Sequence, residues 1–246
     1  MLSASLSSPL PNCLCGGSHG MVCEKVRIRF RKIGNLRLIS HHDLMRCFER
    51  MLRRAALPFH STAGFNPKPR LIFAMPLPLG ISGSQEIVEL ELDDELPAEE
   101  IQGRLAGQAP PGLEILAVER INPKITAHVR KATYRIAVDT QSLPDLPGRI
   151  NALKAADACW VERERPARKR IDVRPFLSDL RLGSGALEIE LVVTPNGTVR
   201  PDEILRILEL GNLLDAGAAL ERIKLELEDE AQADRPAAGH SEECQL

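Results

Sequence analysis

The sequence predicts an α+β protein built from two tandem ferredoxin-like domains. Each would be a β-α-β-β-α-β unit, an antiparallel sheet with its helices on one face. Three observations predict it. Apolar residues alternate with period two in short segments that bracket longer segments of helical period. These segments follow the β-α-β-β-α-β order between Glu24 and Ile121, and a similar order recurs between Tyr134 and Leu227. A length of 246 residues suits two domains of roughly 100 residues each.

In the first block, Val26, Ile28 and Phe30 alternate with Arg27, Arg29 and Arg31, the pattern of a half-buried strand. A turn at Gly34-Asn35 follows. Ser40 with Asp43 three residues on resembles a capping box, so a helix is expected to start there. Leu44, Phe48, Met51, Leu52 and Ala55 share one helical face, and Pro58 ends the run. Gly64-Phe65-Asn66-Pro67-Lys68-Pro69 is a stiff loop, because each proline fixes its own φ and restrains its predecessor. Strands are expected at Leu71–Met75, Ile87–Leu92 and Leu113–Val118, with a helix from Pro97 to Gln108 before the last.

In the second block, strands are expected at Tyr134–Val138, Cys159–Glu164, near Ile171–Val173, at Ala186–Val193 and at Arg222–Leu227. Helices are expected at Pro147–Ala156 and from Pro201, a proline opening each. The alternation is weaker here, and the middle has room for an extra hairpin. The domains are therefore placed at 24–122 and 131–227. Residues 1–23, rich in Ser, Pro, Gly and Cys, are expected to be a disordered extension, with Met21 the expected native start. The acidic, Ala-rich 228–246 is expected to be a disordered tail.

Composition excludes several function classes. No stretch approaches the ~20 apolar residues of a membrane helix, and Met1–Gly20 lacks both basic residues and an apolar core, so a cytoplasmic protein is expected. The six cysteines form no Cys-x-x-Cys pair, and Cys13, Cys15 and Cys23 with His19 match no zinc spacing; no metal site is expected. No phosphate-binding glycine loop or nucleophile elbow is present. With a net charge of −2, any site for a polyanion depends on uneven charge distribution.

That distribution is uneven. Between Glu24 and Arg70, twelve basic residues face three acidic ones, whereas Glu86–Arg120 carries ten acidic and two basic. The candidate RNA- or phosphate-binding residues are Lys32, Arg37, Arg46, Arg50, Arg53, Asn66, Lys68 and Arg70; Arg46, Arg50 and Arg53 form one helical stripe. Arg27, Arg29 and Arg31 are read instead as cross-strand partners of Glu89 and Glu91. His41, His42 and Asp43 are the most enzyme-like cluster, and His41 and Asp43 are the weak catalytic candidates. The competing reading is a Ser40–Asp43 cap with a histidine packed at the helix entrance.

The segment Lys32-Ile33-Gly34-Asn35-Leu36-Arg37-Leu38-Ile39-Ser40-His41-His42-Asp43-Leu44, then Gly64–Arg70, then Pro76-Leu77-Pro78-Leu79-Gly80, resembles the DUF2344, or radical-SAM-linked, protein family. The likeness covers most of Val26–Val118 and is weaker beyond, where Lys169–Pro175 corresponds best. His42 stands where that family usually has an apolar residue. The resemblance implies a partner of a radical-SAM protein with a connection to RNA, and carries over no catalytic residues. The chain lacks the Cys-x-x-x-Cys-x-x-Cys triplet, so SAM and an iron–sulfur cluster are expected on the partner and no cofactor here. The expected function is an adaptor without catalytic activity of its own that contacts RNA in tRNA or rRNA modification or processing. The alternatives are an RNA-processing enzyme using His41 as acid–base, with Lys68 or Arg70 stabilising phosphate charge, and a purely structural protein-interaction partner.

Overall fold

The structure is a computed structural model that describes residues 24–164, 168–195 and 197–233, with side chains through Glu230. The alternation in the first basic segment forms β1 (Glu24–Lys32), whose Val26, Ile28 and Phe30 are completely buried. Helix α1 (His41–Arg54) starts where expected. The Ser40 hydroxyl accepts the Asp43 N–H at 3.2 Å and donates to the Asp43 carboxylate at 2.8 Å. Its apolar stripe, Leu44, Phe48, Met51 and Leu52, is fully buried. Strands β2 (Leu71–Phe73) and β3 (Ser82–Leu92), helix α2 (Ala98–Ala106) and strand β4 (Leu113–Ile121) complete the first half.

The second half holds β5 (Val129–Ala137), α3 (Leu146–Ala155), β6 (Trp160–Arg163), β7 (Lys169–Asp172), β8 (Leu177–Gly183), β9 (Ala186–Val192), α4 (Pro201–Ile207), α5 (Gly211–Asp215) and β10 (Leu220–Leu227). The sequence reading has no strand at β8. A register shift between Leu177 and Asp179 interrupts its alternation, which hid it. Strands β6 and β7 form the extra hairpin and pair only with each other.

The architecture is mixed α+β with a mostly antiparallel sheet, but the two halves do not keep separate sheets. One sheet runs β4-β1-β3-β10-β5-β9-β8, with β2 also on β3. β3 is long enough to serve two neighbours on one edge. Val88–Leu90 pair with β2, while Ser82 and Gly83 pair in parallel with Glu221 and Arg222 of β10. Packing crosses the expected boundary as well. Leu77, Ile81 and Ile87 belong to the core built mainly from the second half, whereas α1 and α2 cover the core of the first.

The junction is electrostatic. Arg222 is fully buried and pairs with the buried Glu86 carboxylate through two N–H donors; it also donates to the carbonyls of Met75 (2.9 Å) and Pro76 (3.2 Å). Burial opposes the charge on Arg222, yet Glu86 outweighs it and the guanidinium is held more basic than usual. Gly83 gives this pair its room: a Cβ there would lie 2.5 Å from the Glu86 side chain.

A second buried charge cluster covers the face of β1 away from its helices. Lys25 Nζ lies 2.7 Å from Glu89 and donates to the Ile125 carbonyl at 2.6 Å. Arg27 donates to Glu89 (3.0 Å) and to Asp229 (2.8 Å). Glu230 pairs with Arg29. Asp229 and Glu230 lie in α6 (Glu228–Ala233), so the acidic segment expected to be disordered from residue 228 begins instead as a helix. The arginines of β1 give it fixed partners. The rest of that segment, the 1–23 extension, and Cys13, Cys15, Cys23, Cys244 and His19 lie outside the described residues. Among the described residues, no helix is long and apolar enough to cross a membrane.

Two measurements check this account. Arg222→Ala strands a buried carboxylate and is expected to lower the unfolding free energy by about 3–5 kcal/mol, with Arg222→Met combined with Glu86→Leu recovering most of the loss. A single variant within ~1 kcal/mol of the parent in urea unfolding would contradict the role given to the pair. The second concerns Glu203, buried at the start of α4. Burial raises its pKa, but Arg163 and the Arg200 N–H outweigh burial and hold it below the ordinary carboxylate value. Its stabilisation is therefore complete above its unfolded pKa of about 4.3 and is lost as pH falls through the lowered folded value. Glu203→Gln is expected to flatten the acid limb of a stability–pH curve; an unchanged acid limb would exclude that contribution.

Candidate nucleic-acid interface

Charge patterning and a proline-rich loop meet at α1. Because Leu44, Phe48, Met51 and Leu52 take the inward stripe, Arg46, Arg50 and Arg53 stand on the exposed side. The following loop is closed at its base. His60 N donates to the Glu91 carbonyl (2.8 Å) and Arg70 N to the His60 carbonyl (3.0 Å). Higher up, Thr62 N donates to the Lys68 carbonyl (2.9 Å), and Lys68 N to the Thr62 hydroxyl (3.2 Å). The Nδ1 atom of His60 lies 2.6 Å from the Asp93 carboxylate and fixes the foot of the loop.

Arg53 ties the loop to the helix. Its guanidinium donates to the Pro67 carbonyl at 2.9 Å and lies 5.5 Å from the centroid of the Phe59 ring. The loop tip thereby holds Phe65, Asn66 and Lys68 beside the helix stripe, all exposed to solvent. Phe65 is fully exposed. The sequence reading omitted it from the site, although the signal was present: an aromatic residue in a Gly-x-Asn-Pro-x-Pro segment has no regular element through which to reach a core.

The candidate cations differ in how they are satisfied. Among the described residues, Arg37, Arg50 and Lys68 have no carboxylate within 4.0 Å. Arg46 has only Asp43, at 3.6 Å and well exposed, and Arg70 pairs with Glu91 at 3.1 Å. Exposed pairs of this kind are worth about 0–1 kcal/mol and yield readily to a phosphate. Lys32 must be taken off the accessible surface. It is completely buried, its Nζ donates to the Ile39 carbonyl at 3.3 Å, and burial together with Arg222 lowers its pKa despite Glu86. The chain reversal through the 3₁₀ turn Gly34–Leu38 carries Ile39 back over the end of β1 and closes off the lysine. Arg27 is consumed by Glu89 as expected, whereas Arg29 and Arg31 pair with Glu230 and Glu114 rather than with Glu89 or Glu91.

The enzyme-like cluster is not assembled as a catalytic pair. The Asp43 carboxylate is engaged by the Ser40 hydroxyl and lies near Arg46 rather than orienting a histidine. His41 packs edge-on against Phe73, with ring centroids 5.0 Å apart. Burial, then His42, Lys32 and Arg222, lower its pKa and favour the neutral ring, and its Nδ1 is buried without a hydrogen-bond partner among the described residues. No group of three or more His, Cys, Asp or Glu side chains able to hold a metal ion exists among the described residues.

Comparison with known proteins places these features in a family. The model of DUF2344, described as an uncharacterized protein conserved in bacteria, matches residues 25–201. No curated protein matches the chain. Among solved structures, the chain is similar to an unknown protein from Galdieria sulphuraria, at 10% identity over 83% of this chain and 98% of that one, with a TM-score of 0.25. The matched span takes in α1, the proline-rich loop, the β3–β10 junction residues of the first half and the β6–β7 hairpin. The chain belongs to the DUF2344 family.

Proposed function

We propose that this protein is a non-catalytic adaptor that contacts RNA through α1 and the loop after it, and that it works beside a radical-SAM enzyme in tRNA or rRNA modification or processing. The observation that carries the RNA contact is the exposed stripe Arg46, Arg50 and Arg53 of α1, tied by Arg53 to a loop that exposes Phe65, Asn66 and Lys68, with no carboxylate at Arg50 or Lys68 among the described residues. Cations position phosphates, and an exposed ring stacks on an unpaired base. The radical-SAM partner, which would supply SAM and the iron–sulfur cluster, rests on the family resemblance.

The strand orders support reading each half as a ferredoxin-like module. β4-β1-β3-β2 in the first half and β10-β5-β9-β8 in the second follow the same 4-1-3-2 order, with β6–β7 inserted in the second. On that reading the modules occupy 24–122 and 131–227, fused along one sheet edge.

One observation favours a second reading, RNA cleavage with His41 as acid–base: its Nδ1 has no hydrogen-bond partner among the described residues, so that nitrogen is uncommitted. The Asp43 carboxylate turned toward Ser40 and Arg46 weighs against it. Cleavage of total RNA by the purified protein, lost in His41→Ala, would select this reading; binding without turnover selects the adaptor.

The adaptor reading is tested by RNA crosslinking in native extract. Arg50→Glu with Lys68→Glu is expected to abolish crosslinks while leaving the unfolding midpoint unchanged, since neither side chain holds a structural partner among the described residues. In vitro, each lost contact to a single-stranded phosphate should reduce the slope of log K against log salt by about 0.7. Undiminished crosslinking in the folded double variant would refute the site.

A further inference from the structure

The β6–β7 hairpin is built with one face anchored and one face open. Alternation along the two strands sends Val161 and Ile171 to the half-buried side, and Trp160, Glu162 and Arg170 to solvent. The anchored side is firm. Cys159 and Val161 pack on the second core, and Val173 N donates to the Cys159 carbonyl at 2.8 Å. Arg163 makes two 2.7 Å hydrogen bonds to Glu203 and a third, of 3.3 Å, to the Thr198 carbonyl. The open side is thus presented on a rigid support.

On that open side stands Trp160, the single tryptophan of the chain, 52% exposed. The Arg170 guanidinium lies 4.7 Å from its ring centroid, the diagonal cross-strand contact that two long side chains can make. A cation over one ring face leaves the opposite face available for stacking. Arg168 follows at the loop end of the same hairpin, where it reaches Glu162 on the open face, whereas Lys169 pairs with Arg163 and lies on the opposite face. Among the described residues, Arg168 is held only by the exposed Glu162 at 2.8 Å, and no carboxylate lies within 4.0 Å of Arg170. An open indole with Arg170 against it and Arg168 further along the same face matches the two surfaces of a nucleotide, an apolar base plane and a charged phosphate.

We propose that Trp160, with Arg170 and Arg168, forms a second nucleic-acid site that takes an unpaired base and its flanking phosphates from single-stranded RNA. Stacking requires the base to be out of a duplex, which sets the occupant as a single strand. The site shares no residue with the α1 surface and stands whether or not that surface binds RNA.

The single tryptophan makes the test direct. The full chain is titrated with an oligouridylate of about 12 nucleotides, within the usual span of single-strand sites, while Trp160 fluorescence and the anisotropy of a labelled copy are followed. Saturable quenching is expected. Trp160→Ala is expected to weaken binding about tenfold, Trp160→Phe to retain most of it, and Arg170→Glu to weaken it with a shallower salt dependence. Unfolding midpoints of the three variants verify that each is folded. Oligonucleotide binding by anisotropy with no quenching, and unchanged affinity in Trp160→Ala, would overturn this site while leaving the α1 reading intact. Quenching that persists in Arg50→Glu with Lys68→Glu would support the hairpin site on its own. Equal quenching by a duplex of the same length, or no binding by either readout, would overturn it.

Discussion

Arg222 carries a full positive charge into a place with no water, and the arrangement of the two halves follows from how that charge is met. Its carboxylate partner Glu86 comes from the other half of the chain, as do the carbonyls of Met75 and Pro76 that take its remaining donors. Pulling the halves apart would leave both charges in poorly solvated surroundings until water reached them, so the interaction specifies position more than it adds net stability. Gly83 on β3, directly opposite Arg222 on β10, leaves the space into which Glu86 folds. Ser84 and Glu221 add a hydrogen bond at the same seam. Two residue pairs of strand ladder are a slender connection; the buried ion pair and the apolar contacts of Leu77, Ile81 and Ile87 make it a specific one.

The same logic of internal neutralisation governs where binding surfaces can exist. Most of the positive charge in the first half is spent on the protein itself: Lys25 and Arg27 on Glu89, Arg29 on Glu230, Arg31 on Glu114. The acidic beginning of the C-terminal segment takes part, folding as α6 against β1. The cations that remain outside include a narrow set on α1 and its loop, joined by the Arg53–Pro67 hydrogen bond, and a smaller set on β6–β7. Each set shares its element or loop with an exposed aromatic ring, Phe65 in one and Trp160 in the other. In a chain with only eight aromatic residues, two held outside any core contribute little apolar bulk to folding.

Much of the fold was readable because local periodicity is a direct consequence of burial on one face. Val26, Ile28 and Phe30 announced β1; Leu44, Phe48, Met51 and Leu52 announced α1; Ser40 and Asp43 marked its start. β8 was not readable, because the irregularity after Leu177 spoils the count by one residue. The α1 stripe and Lys68 were legible as a candidate site from charge and spacing, and Phe65 could have been added from its place in a proline-rich loop, but Trp160 could not, since an aromatic residue in a strand reads equally well as core.

By itself the sequence determined the type and order of most elements, the inward faces of its strands and helices, and the excess of positive charge in its first third. These are properties of neighbours along the chain. Tertiary structure alone decided that the two halves share one sheet, that Lys32 is sealed inside while Lys68 stays outside, and that Asp229 reaches Arg27 from about 200 positions away. Such outcomes depend on which distant carboxylate arrives beside which cation, and Coulombic pairing through a folded interior leaves no periodic trace in the residues that take part.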